Sequence, residues 1–174
     1  MPDNGVDAEV ELRLPEPFER FFRREYPRMV AVAYAISGSR WAAEELAQEA
    51  CLRAYRQWDR ISGYDKPGAW LRRVTINLSN SLLRRKVSEL KALQRSAFGG
   101  VGVIDPHPED EIEFWDQVRA LPKRQREVMV LHFVDDMSSG EIADVLGISE
   151  SSVRSHLQRG RTALTQRVDI EDWA

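Results

Sequence analysis

From Phe18 onward apolar residues recur three and four positions apart, the period of a helix that buries one stripe. Phe18, Phe21, Phe22, Met29, Val30, Ala33 and Tyr34 form the first stripe, with Pro27 either opening a second helix or kinking one long one. Ser37-Gly38-Ser39 ends that run, and Ser39 is placed to cap a helix that buries Ala43, Leu46, Ala47, Ala50, Ala54 and Trp58 opposite Glu44, Glu45, Gln48 and Glu49. Gly63, Pro67 and Gly68 interrupt the period in DRISGYDKPGAW, so this is a loop, and Pro67 can open the helix that follows. There Trp70, Leu71, Val74, Leu78, Leu82 and Leu83 read as the inner side, leaving Arg72, Arg73, Asn77, Asn80, Arg84, Arg85 and Lys86 toward solvent.

SAFGGVGVIDPHPED has no period and is rich in Gly and Pro, which marks residues 96–110 as a linker between a domain at 16–95 and another at 111–168. Beyond it, Ile112, Trp115 and Val118 lie on one face until Leu121-Pro122, and Pro122 opens a helix with Val128, Leu131 and either His132 or Phe133 inside. Ser138 and Glu141 have capping-box spacing, so a short helix follows that buries Ile142, Ala143 and Leu146. Gly147 stops it, Ser149 caps the last helix, and Val153, Leu157 and Leu164 are that helix's inner residues. The expected fold is all-α, two small helical domains on a flexible tether. An acidic leader at 1–15 and an acidic tail at 169–174 complete the chain.

Charge changes this picture because it is segregated. The 174 residues carry a net charge of −3. Lys and Arg against Asp and Glu count 9 and 11 over 1–63, 8 and 2 over 64–95, 4 and 12 over 96–150, and 4 and 3 over 151–174. A basic block thus stands against an acidic one, and the segment Ser151 to Val168 carries Arg154, Arg159, Arg161 and Arg167 with no acid until Asp169. DNA contact, if made, is confined to two patches, and so few free cations bind phosphates weakly without help.

SSGEIADVLGISESSVRSHLQRGR meets the needs of a helix-turn-helix: small Ala143 at the crossing, Gly147 at the turn, and Ile148 and Val153 to fix the hinge. Its second helix exposes Ser151, Ser152, Arg154, Ser155, Gln158 and Arg159, with Arg161 beyond, a mixture of hydroxyl, amide and guanidinium groups suited to base edges and phosphates. The bland alternative is a helical hairpin with a solvated face.

Other chemistries find no support. Cys51 is the only cysteine, so no intrachain disulfide or thiolate zinc cluster can form, and it reads as core packing. His107, His132 and His156 are scattered, and none lies three residues after a glutamate as a carboxylate-bridged dimetal site requires. GGVG at Gly99 is too short for a phosphate loop, and no nucleophile-base pair is visible, so neither an enzyme nor a cofactor is expected. No stretch has the signature of a secretory signal or membrane span, which places the chain in the cytoplasm.

LPKRQREVMVLHFVDDMSSGEIADVLGISESSVRSHLQRGRTAL resembles region 4 of extracytoplasmic-function (ECF) sigma factors. AEELAQEACLRAYRQW and KPGAWLRRVTINLSNSLLRRK are similar to their region 2. The resemblance implies a dissociable subunit of bacterial RNA polymerase that selects and opens promoters. Glu44, Glu45, Gln48 and Glu49 would then dock on the core polymerase clamp helices. The loop with Tyr64 and Lys66 would capture an unstacked base of the minus-ten element, and Arg72, Arg73, Asn77, Asn80, Arg84 and Arg85 would hold the separated strand. Asn77 matches the family's asparagine, whereas Asn80 stands where many members have an acid. Ser151, Ser152, Arg154, Ser155, Gln158, Arg159 and Arg161 would read the minus-thirty-five element. Trp70 could stack on a base, although its spacing with Leu71 and Val74 favours core. The resemblance also implies an inhibitory anti-sigma factor as a partner. The competing expectation is a stand-alone helix-turn-helix regulator whose N-terminal domain serves for interaction.

Overall fold

The computed structural model describes residues 16–95 and 109–166, and among them every regular element is a helix. The expected leader, the acidic tail and all but the last two residues of the expected linker lie outside the described residues. Helix α1 (Phe18–Ser37) runs unbroken through Pro27 and ends at Gly38, whose φ of 69° lets its N–H return to the Tyr34 carbonyl at 2.8 Å. Ser39 then accepts the Ala42 N–H at 3.3 Å and starts α2 (Arg40–Arg56). The alanines at 43, 47, 50 and 54 are fully buried, because a face this small lets α2 lie close to α1. A single turn, α3 (Trp58–Ile61), leads through the Gly63–Lys66 loop to α4 (Pro67–Arg95). Helices α1, α2 and α4 close the first bundle around Phe21, Met29, Ile36, Ile61, Leu71 and Ile76.

The second bundle comprises α5 (Glu109–Arg119), α6 (Lys123–Phe133), α7 (Ser139–Leu146) and α8 (Glu150–Thr165) around Val118, Val128, Leu131, Ile142, Val153 and Leu157. Gly160 sets the α6–α8 distance. A Cβ there would stand 3.0 Å from Met129 Cγ and Sδ. Trp58, Trp70 and Trp115 are half-buried against the cores.

The structure resolves one open choice of the sequence reading and departs from it in another respect. Of the two candidates for the inner side of α6, His132 is the half-buried one, with Nδ1 3.1 Å from the Met137 carbonyl, and Phe133 is half-exposed beneath the Arg161 guanidinium. The departure is that the bundles pack on each other, α4 against α7 and α1 against α5 and α6.

Candidate nucleic-acid interface

The hinge of the second bundle is built by local hydrogen bonds. Ser138 Oγ accepts the Glu141 N–H at 3.3 Å while the Glu141 carboxylate accepts the Ser138 N–H at 2.9 Å, a reciprocal cap on α7. These bonds, the Ser138 hydroxyl foremost, hold the Glu141 carboxyl below its ordinary pKa. Gly147 at φ 65° turns the chain, with its own N–H and that of Ile148 both reaching the Ala143 carbonyl, at 2.8 and 3.2 Å. Ser149 caps α8 through the Ser152 N–H at 3.2 Å. With Val153, Leu157, Gly160 and Leu164 buried, α8 exposes Ser151, Arg154, Gln158, Arg159 and Arg161 and leaves Ser152 and Ser155 half-buried. Arg154 pairs with Glu150 at 3.0 Å, and Arg161 lies 5.6 Å above the Phe133 ring and 3.3 Å from His132 Nε2. Every residue expected to read the minus-thirty-five element is therefore on one accessible helix.

The residues expected to hold the minus-ten strand divide into two groups. Asn77, Arg84 and Arg85 are exposed along α4, Arg85 making only a 3.8 Å approach to Glu89. Tyr64 is half-buried with Arg60 above its ring at 5.9 Å, and exposed Lys66 donates to Asp144 of α7. Arg72 and Asn80, expected to face solvent, do not. Arg72 is 7% exposed, hydrogen-bonded to Asp135 beyond α6 and, at 2.9 Å, to Glu25 of α1. Burial is the largest influence on this guanidinium and opposes its charge, but the Asp135 hydrogen bond and the charges of Glu25 and Asp135 together outweigh it and raise its pKa. Asn80 is 3% exposed, giving its amide to Glu127 at 2.8 Å and accepting from Arg126 at 2.8 Å. Exposed Arg73 reaches across to the Val145 and Asp144 carbonyls at 2.6 and 3.1 Å. The physical reason is satisfaction: a buried guanidinium or amide needs partners for its donors, and the second bundle supplies them.

Glu25, Asp135, Glu127, Arg126 and Arg119 were missed by the sequence reading. The signal that pointed to such pairing was the opposition of a basic block at 64–95 to an acidic one at 96–150. The expected polymerase face is present on α2: Glu45 and Gln48 are exposed, and Glu44 and Glu49 are half-buried and paired with Arg40 and Arg53 at 3.4 and 2.7 Å. Beside these acids Trp41, Leu52 and Tyr55 are exposed, an apolar addition that the alanine stripe gave no reason to expect. Cys51 lies beneath this face, its thiol pushed up to about 11 by burial and then by Glu25. Among the described residues no three His, Cys, Asp or Glu side chains gather as a metal site requires. Within the same residues no helix is long and apolar enough to cross a membrane.

A three-helix bundle followed by a helix-turn-helix unit is a two-part, all-helical arrangement that offers nucleic acid two separate surfaces. Residues 21–89 match the family model of Sigma-70 region 2, and residues 111–164 match that of Sigma-70, region 4. The chain belongs to the ECF family of RNA polymerase sigma factors. It is 30% identical over 156 residues to the RNA polymerase sigma-E factor of Streptomyces avermitilis, covering 89% of this chain and 87% of that one. It is 29% identical over 158 residues to the ECF sigma factor SigW of Bacillus subtilis, covering 81% and 83%. A probable sigma factor of Xanthomonas campestris pv. campestris, RfaY, is 31% identical over 157 residues, 81% of this chain. The chain spans only 38% of RfaY and 64% of SigE from Mycolicibacterium smegmatis. In fold it is similar to RpoE of Bartonella quintana, solved with the anti-sigma factor NepR, at a TM-score of 0.70 and 22% identity over 88% of this chain and 98% of that one. It is likewise similar to CnrH, solved with the cytosolic domain of CnrY, at 0.65 and 23% over 88% of each.

Proposed function

We propose that this ECF-type sigma factor binds core RNA polymerase and directs it to promoters whose two elements are read by separate bundles. The observation that carries the proposal is the presence in one chain of a bundle matching region 2 and a capped helix-turn-helix matching region 4. Helix α2 docks on polymerase through Glu44, Glu45, Gln48 and Glu49, with Trp41, Leu52 and Tyr55 supplying apolar anchors at the centre of the contact. Helix α8 enters the major groove of the minus-thirty-five element, where Arg154 and Arg159 suit guanine edges or phosphates and Ser151, Ser152, Ser155 and Gln158 offer neutral hydrogen bonds. Arg161, nearer the end of α8, meets the backbone.

Helix α4 and the preceding loop take the minus-ten element. Extruding a base costs a few kcal/mol of stacking, so the separated strand needs a cationic track and a receptor for the base. Asn77, Arg84 and Arg85 form the exposed part of the track, Arg72, Arg73 and Asn80 join it when they leave their partners in the second bundle, and the loop with Tyr64 and Lys66 receives the base. The protein acts in the cytoplasm, where the polymerase is, and an anti-sigma factor binds and restrains it; the similar RpoE was solved in complex with the anti-sigma factor NepR. No catalytic residue or cofactor is assigned.

The test is reconstitution. The purified chain should bind core polymerase, and only that complex should protect a promoter in footprinting and yield run-off transcripts from genomic templates. Binding of two half-sites about one helical turn apart by the chain alone, as a dimer, would instead mark a stand-alone regulator. Tyr55→Ala should weaken core binding at least tenfold while leaving α8 competent for DNA.

A further inference from the structure

Arg154 of α8 pairs within its own helix, through Glu150 at 3.0 Å. Arg161 instead reaches across to the end of α6, where two neighbouring rings receive it. Its Cζ lies 5.6 Å above the Phe133 ring, and its Nη2 is 3.3 Å from His132 Nε2. The His132 ring is itself fixed from the other side. Nδ1 lies 3.1 Å from the Met137 carbonyl, which can only accept, so Nδ1 carries the hydrogen and Nε2 presents its lone pair to the guanidinium. Met137 is anchored in turn, its N–H on the Leu131 carbonyl at 3.1 Å, one residue before the Ser138 cap of α7. Phe133 stands edge-on to His132 with ring centres 4.8 Å apart, and half of its surface is open although the ring is large and apolar.

We propose that His132 and Phe133 are positioning residues, which hold Arg161 ready for a phosphate of the minus-thirty-five duplex. The inference rests on the reading of α8 as the helix that enters the major groove. A guanidinium has more N–H donors than this seat uses: the ring-face contact takes none and His132 takes one, so the rest stay free for phosphate oxygens. A mobile arginine side chain loses rotamer freedom when it meets DNA, and one already seated on α6 has lost part of it beforehand. The chemistry of the seat matters. A carboxylate, such as Glu150 offers Arg154, holds a guanidinium by cancelling the charge that attracts phosphate. A neutral imidazole acceptor and an aromatic face hold it with that charge intact. Because Met137 precedes the cap of α7, the seat is tied to the same turn that sets the angle of α8.

The test separates the two nitrogens of His132 in the full chain. Asparagine places its amide near Nδ1, so His132→Asn can keep the Met137 bond but not the Arg161 contact. Glutamine places its amide oxygen near Nε2, so His132→Gln can keep the Arg161 contact but not the Met137 bond. Fluorescence anisotropy with a random-sequence duplex should show His132→Gln close to wild type, and His132→Asn and Phe133→Ala about fivefold weaker. Urea unfolding should rank the two amides the other way, His132→Asn above His132→Gln, because the Met137 bond belongs to the fold. Arg161→Ala should lower the salt slope by about one and weaken a promoter duplex and a random duplex alike, the mark of a phosphate contact. In the Arg161→Ala background, His132→Asn should cost no further affinity. The same ranking in affinity as in urea, or an undiminished His132→Asn loss in that background, would overturn the proposal by reducing His132 to a structural residue. An unchanged slope for Arg161→Ala would overturn it as well, whereas loss of promoter preference in Arg154→Ala would still leave the reading of α8 standing.

Discussion

Gly147 holds a backbone conformation that a side chain resists, at φ 65°, and its open side faces Arg73. Gly147→Ala therefore meets the left-handed penalty of about 1–2 kcal/mol and pushes on a guanidinium only 3.1 Å away. Urea unfolding should report a loss of that size with an unchanged m-value, and a neutral result would show that the turn relaxes freely. Gly147, Ser138 and Ser149 were readable from sequence because each acts on atoms within four positions of itself. Arg72 and Asn80 were not. Their partners lie 63 and 47 positions away for Arg72, and 47 and 46 away for Asn80, and helical periodicity carries no information about which remote carboxylate will cover a polar face. Burial of a charged residue is decided by the partner, so a period that points Arg72 outward from its own bundle is correct while its exposure is not.

Among the elements, α7 shows how much of a short helix is secured at its first turn. It spans eight residues, too few to persist without packing and caps. Ser138→Ala should cost about 1 kcal/mol. The pH dependence of Glu141→Gln has a definite sign. The folded-state pKa of Glu141 lies below the ordinary 4.5, so its contribution is present above that value and is lost as pH falls through it toward the folded pKa. The wild type should be more stable than Glu141→Gln at pH 7, and the gap should narrow on titration to pH 4, as followed by urea midpoints. A constant gap would mean that the side-chain shape, not its charge, closes the cap. The other helices followed from their apolar period, with informative exceptions. The single turn α3 is too short to have a period, and Pro27 offered two outcomes that only packing could decide. Phe133 ends α6 at the surface because its ring is used twice from outside, beneath Arg161 and edge-on to His132 at 4.8 Å.

For the whole molecule, two all-helical units and their order follow from sequence, because each buries its own apolar stripe. Their mutual packing does not, since it rests on charge pairs and helix-end contacts whose free energy nearly cancels between water and interface. That balance fixes how the chain meets DNA. With the bundles packed, the cations of the proposed DNA surfaces that stay open are Arg154, Arg159 and Arg161 of α8 and Arg84 and Arg85 of α4. Neutralising about five phosphates gives a slope of about −4.5 in a plot of log affinity against log salt. Separation of the bundles would add Arg72, Arg73 and Lys66, so Asp135→Asn should steepen the slope to about −7 and bind more tightly at low salt, with the two lines converging as salt rises. The net charge of −3 makes the wild-type expectation sharper, because no diffuse positive field adds to the specific contacts. Anisotropy titrations of a promoter duplex over a range of salt would measure both slopes. A wild-type slope already near about −7 would mean that Arg72, Arg73 and Lys66 reach DNA in the free chain, and that the contact between the bundles yields to a phosphate backbone without help from polymerase.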